Sequence, residues 1–132
     1  MIILDTSAVT ALARSHKTLN TLAGNMARTP GGHLVVPALC LMQAEAVDEG
    51  ASRRVLLFSS VVVDDLDTVA AVTVGTMVRD GYGGPDTCHA LYCALPRPDF
   101  LGGSILLTAE EDAYPPGMAT VGIDSPGMLG FS

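Results

Sequence analysis

Short apolar runs recur along this chain, and stretches of helical composition separate most of them. Met1–Leu4, Leu34–Val36, Ser60–Val63, Ile105–Leu107 and Ala119–Ile123 have the length and residue types of buried strands. Between the earlier ones lie helical segments at 7–14, 17–28, 38–49, 52–58, about 66–79 and 86–95. Apolar strands that alternate with helices predict an α/β fold, with a parallel sheet covered on both faces. At 132 residues the chain fits one domain with a real core.

Breakers support these boundaries. Thr29-Pro30-Gly31-Gly32 separates the second helix from the second strand. Pro37 ends that strand and precedes a helix, a position where proline is favoured. Leu66, Val69, Ala70, Thr73, Val74, Met77 and Val78 form one apolar stripe at helical spacing, with Asp64 or Asp65 as candidate cap. Gly and Pro at 81–85 and the segment Pro96–Gly103 read as loops. The tail from Ser125 shows little periodicity.

Composition excludes several classes. Hydrophobic residues make up 48%, which is too many for a disordered chain. No apolar run approaches the roughly 20 residues of a membrane span, and Asp5 interrupts the first one. No basic region precedes that run, so a soluble cytoplasmic protein is expected. The net charge of −7 opposes broad attraction to nucleic acid, although a bound divalent cation can supply positive charge locally. The three cysteines, Cys40, Cys88 and Cys93, include no Cys-x-x-Cys pair. Neither a disulfide framework nor a zinc site is indicated, and Cys88-His89 with Cys93 matches no zinc spacing.

The acids fall at informative places. Asp5 closes the first strand, with Thr6 or Ser7 placed to cap the next helix. Asp86 opens a helix after a Gly/Pro loop, and Glu110, Glu111 and Asp112 follow the strand Ile105–Thr108. Strand carboxyl ends and helix amino ends can meet at one edge of a parallel sheet, where ligands bind. Clustered carboxylates repel unless a cation joins them, and Mg²⁺ or Mn²⁺ favours such oxygen ligands. Taken singly, Asp86 can be a helix cap and Glu110–Asp112 a solvated first turn. Asp5 is costly to bury without a partner.

Four segments in order, MIILDTSAVTAL, HLVVPALCLMQAE, PDTCHALYCA and SILLTAEEDAY, resemble the PIN domain family. That family is the metal-dependent nuclease fold of VapC-type toxins from bacterial toxin–antitoxin pairs. The resemblance implies one three-layer α/β/α domain over 1–132 with a mostly parallel central sheet. It also implies an endoribonuclease dependent on Mg²⁺ or Mn²⁺, an RNA substrate, a small antitoxin partner and a homodimer. Asp5, Asp86 and Glu110 would be the metal ligands, with Asp112 an alternative to Glu110. Family members place a Glu six residues after the strand-ending proline; here Gln43 stands there, and the nearest Glu is Glu45. Two residues along a helix are a rotation of about 200°, so only a register change would bring Glu45 inward. Otherwise one carboxylate is lost and the domain is a weakened binding or regulatory module.

Other chemistries fit less well. His16, His33 and His89 could move protons, but His89 lies one turn from Asp86 and could simply pair with it. Gly-x-Ser-x-Gly and glycine-rich phosphate loops are absent. Asp64-Asp65 follows the third strand, whereas the acidic pair of response-regulator receivers follows the first. The Asp-x-Asp of haloacid-dehalogenase-type phosphatases would need an acid at Ser7.

Overall fold

A computed structural model describes residues 1–96 and 103–131. Five parallel strands form one sheet: β1 (Ile2–Leu4), β2 (Leu34–Pro37), β3 (Val61–Asp64), β4 (Ile105–Thr108) and β5 (Thr120–Gly122). Their spatial order is β3-β2-β1-β4-β5. Ile3 aligns with Val35 on one side and Leu106 on the other, so β1 is central. The α-helices are α1 (Thr6–Ala13), α2 (Lys17–Arg28), α3 (Ala38–Val47), α4 (Ala51–Leu56), α5 (Thr68–Arg79) and α6 (Pro85–Ala94). Among the described residues no helix is long and apolar enough to cross a membrane.

The period of two along a strand divides the core. Leu4, Leu34, Val36 and Leu107 face one way, against Val9 and Leu12 of α1, Leu19 and Leu22 of α2 and Val55 of α4. Ile3 and Leu106 face the other way, against Ala90 and Cys93 of α6, with Val35 packed on them. Burying one such Leu or Ile contributes about 1.5–3 kcal/mol, so both faces of the sheet stabilise the fold. The result is a three-layer α/β/α sandwich.

The chain leaves β1, steps outward through β2 to β3, then returns through α5 and α6 to β4 on the other side of β1. The direction of winding therefore reverses between β1 and β4. Crevices at such a reversal, outside the strand carboxyl ends, are where open α/β sheets bind ligands.

Two expected helix caps are corrected. Asp5, not Thr6 or Ser7, caps α1: its carboxylate accepts the Ala8 N–H at 3.0 Å. The cap of α5 is Asp67, which accepts from Ala70 N at 2.8 Å, because the helix begins at Thr68, too late for Asp64 or Asp65. Only Ala70 and Val74 of the α5 stripe are buried, while Val69 and Val78 are exposed. This helix leans on α6, so a narrow line of its surface is covered. The tail is also more ordered than its sequence suggests, with a 3₁₀ segment at Pro126–Phe131 that buries Met128. Most of the loop expected over Pro96–Gly103 lies outside the described residues.

Candidate functional site

A cleft of about 390 Å³ opens at the reversal point, with Asp5, Thr6, Ser7, Gln43, Asp86, Glu110 and Tyr114 among its lining residues. Each reaches it for a local reason. Asp5 ends β1 and begins α1. Pro85 occupies the first position of α6, which sets Asp86 in the first helical turn. Glu110 follows β4 by two residues. Asp5 and Asp86 thus sit at the amino ends of two helices, whose dipoles favour negative charge there.

Asp5 is almost fully buried, at 5% exposure. Four donors satisfy it. Oδ1 accepts from Ala8 N at 3.0 Å and from Ser7 Oγ at 2.7 Å. Oδ2 accepts from Thr108 Oγ1 at 2.5 Å and from the Tyr114 hydroxyl at 2.6 Å. Thr108 is itself pinned, because its Oγ1 accepts from Glu110 N at 2.9 Å. Ser7 Oγ likewise accepts from Ala109 N at 2.9 Å. Burial, and then the facing Asp5 charge, push the Tyr114 phenol well above its ordinary pKa, so it remains a donor.

Asp86 is tied to the same wall. Its Oδ2 accepts from Thr6 Oγ1 at 2.6 Å, and its backbone carbonyl accepts from Cys40 Sγ at 3.3 Å. Burial pushes the Cys40 thiol up to about 12, so it behaves as a neutral packing group. His89 is fully buried, and its Nδ1 accepts from Leu39 N at 3.2 Å, joining α6 to the start of α3.

The sequence left Gln43 and Glu45 as alternatives, and the structure separates them. Gln43 lines the cleft. Glu45 is turned to the start of α4, where Oε1 accepts from Ser52 Oγ and N, at 2.5 and 3.0 Å, and Oε2 from Gly50 N at 2.8 Å. Gly50 makes this turn at φ +83°, a region that favours glycine. The Ser52 hydroxyl, then the Gly50 and Ser52 amides, hold the Glu45 carboxyl down to about 2. As a catalytic candidate Glu45 is therefore corrected: it braces a neighbouring turn. Asp112 lies on an exposed 3₁₀ turn, Glu111–Ala113, and does not line the cleft.

The structure brings Asp5, Asp86 and Glu110 to one cleft and leaves Glu45 and Asp112 outside it. The donors are all oxygens, the chemistry that Mg²⁺ and Mn²⁺ favour. Among the described residues no three His, Cys, Asp or Glu side chains form a ready-made metal cluster. Mg²⁺ commonly binds through one or two carboxylates and keeps several waters, so Asp5 and Asp86 fit it in kind. Tyr114 is the residue that sequence reasoning missed. Its one signal was an aromatic side chain just past an acidic turn, at the end of the fourth segment.

These features define a three-layer α/β/α PIN-like fold with its cleft at the reversal of the sheet. Among solved structures the chain is similar to the crystal structure of DNA-bound VapBC from Salmonella typhimurium. The TM-score is 0.58 at 19% identity, over 92% of this chain and 97% of that one. At that identity the likeness is one of fold. No known family model and no curated protein sequence matches the chain.

Proposed function

We propose that the chain is a single PIN-like domain acting as a metal-dependent endoribonuclease of VapC type, the toxin of a toxin–antitoxin pair in the cytoplasm. The observation that carries this reading is the meeting of Asp5, Asp86 and Glu110 in one cleft at the reversal of a PIN-like sheet. Asp5 and Asp86 would hold Mg²⁺ or Mn²⁺, with Glu110 at the rim. When bound, the ion supplies the positive charge that orients a water for attack at phosphorus and stabilises the leaving oxygen.

The side chains around the acids supply positioning. Thr6 fixes the Asp86 carboxylate, and Ser7 and Thr108 fix that of Asp5. Gln43 offers amide donors to a phosphate oxygen where a carboxylate would repel it. A chain of net charge −7 gives RNA little long-range attraction, so binding depends on this local cation. A small antitoxin and a second copy of the chain are the proposed protein partners.

Metal-stimulated cleavage of single-stranded RNA tests the reading, with Asp86→Asn as the control. Cleavage that requires Mn²⁺ and is lost in that variant supports it; equal cleavage by both proteins refutes it. A second reading is a PIN-like binding or regulatory module with weakened catalysis. The neutral Gln43 in the cleft, with Glu45 held elsewhere, favours it.

A further inference from the structure

A carboxylate offers about four lone-pair sites, and on Asp5 four donors use them. A metal ion can therefore reach Asp5 only when one donor withdraws. Three of them are anchored. The Ala8 amide belongs to α1. Ser7 Oγ also accepts from Ala109 N, and the fully buried Thr108 Oγ1 also accepts from Glu110 N. The Tyr114 hydroxyl has no second hydrogen bond among the described residues. It follows a three-residue 3₁₀ turn and stands in the cleft itself, while its ring leans on the Ile3, Cys40 and Leu106 cluster.

We infer that Tyr114 is a latch on Asp5: its hydroxyl occupies the ligand position that a divalent cation must take, and it yields when the cation binds. This rests on the metal-binding reading above. A buried carboxylate that holds no cation needs donors. The phenol supplies one at 2.6 Å. It also sets a cost on metal loading, since a charge-assisted hydrogen bond is given up as the ion enters. Tyr114 acts here through Asp5, as a positioning residue.

Removing the hydroxyl while keeping the ring isolates this cost. Tyr114→Phe should bind Mn²⁺ about tenfold more tightly than the wild type, as expected from losing one competing hydrogen bond to a charged group. Free Mn²⁺ counted by electron paramagnetic resonance reads this directly, with Asp5→Asn defining Asp5-dependent binding and thermal unfolding confirming that each variant folds. A second readout is the tyrosine near-ultraviolet absorption. Mg²⁺ should shift it in the wild type, where a phenol leaves a carboxylate, and not in Tyr114→Phe, which retains Tyr82 and Tyr92. Asp5-dependent binding that is equal or weaker in folded Tyr114→Phe overturns the latch and leaves the metal reading standing. Failure of wild type and Tyr114→Phe alike to bind Mn²⁺ at millimolar concentration overturns both.

Discussion

Asp5→Asn is the natural substitution for testing the proposed metal site, and the hydrogen bonds around Asp5 say that it also weakens the fold. Asn is as good a helix cap as Asp, so the bonds from Ala8 N and Ser7 Oγ to Oδ1 survive. The change falls on Oδ2, where an amide NH₂ replaces an oxygen that accepts from Thr108 and Tyr114. Each of those bonds goes to a charged acceptor and contributes about 1.5–3 kcal/mol, so losing both would cost about 3–6 kcal/mol. Both donors are hydroxyls that can turn to accept from the amide, recovering roughly 1 kcal/mol apiece as neutral bonds. The net loss is about 1–4 kcal/mol, which lowers Tm by roughly 4–15 °C for a chain of this size. Asp86 Oδ2 accepts one side-chain bond, from Thr6, so by the same reckoning Asp86→Asn should lose about 0.5–2 kcal/mol, roughly half as much. Urea unfolding followed by circular dichroism, in chelator at pH 7, measures both. If mutual repulsion of the acids dominated in chelator, removing either charge would stabilise the protein. An Asp5→Asn variant as stable as the wild type or more so refutes the four-donor account. For this reason Asp86→Asn is the cleaner control for cleavage.

Ser15 follows α1 with φ +64°, and the His16 N–H closes the helix end on Ala11 O at 2.9 Å, so a glycine fits there without strain. Ser15→Gly should raise stability by about 0.5–1 kcal/mol, and a lower Tm would contradict this left-handed cap. Glu45 titrates at about 2 in the fold against 4.5 without its partners, so its contribution is complete above pH 4.5 and disappears as pH falls through 2. Glu45→Gln should therefore flatten the acid side of the stability–pH curve between those values and leave Mn²⁺ affinity unchanged; weaker Mn²⁺ binding would return Glu45 to the site. Gln43→Glu adds a carboxylate to the cleft and should tighten Mn²⁺ binding about tenfold, because affinity for hard cations follows ligand charge. Unchanged affinity in calorimetry would show that position 43 does not reach the ion.

The layers of this fold were legible because short β-branched runs and helical stripes differ in period. Leu34–Val36 and Ile105–Leu107 hardly admit another reading once helices flank them. Strand order was not legible, since nothing in either run says that β1 lies between β2 and β4; that follows from the return path through α5 and α6. How much of the α5 stripe is buried was not legible for a related reason. Periodicity reports which residues share a face, and it was the neighbouring α6 that determined how much of that face is covered. At the cleft, the convergence of Asp5, Asp86 and Glu110 was legible because chain position places them at strand ends and a helix start. The choice between Gln43 and Glu45 was not, because it turns on a tertiary pull. The Gly50–Ser52 turn offers three donors to Glu45, and a carboxylate so well held does not rotate toward other acids.

Asp5 is where local and tertiary requirements meet. Its place after β1 makes it both the cap of α1 and the first acid of the cleft, and one carboxylate cannot serve both without limit. The cap and Ser7 use Oδ1, which leaves Oδ2 to face the cleft. Thr108 comes to Oδ2 from the strand paired with β1, and Tyr114 from beyond the next turn. Those two partners lie 103 and 109 residues away in sequence, so no window around Asp5 could reveal them. The same separation makes the arrangement adjustable. Thr108 is locked by the sheet, whereas Tyr114 hangs from a short turn, and that difference in anchoring marks Tyr114 as the partner that gives way.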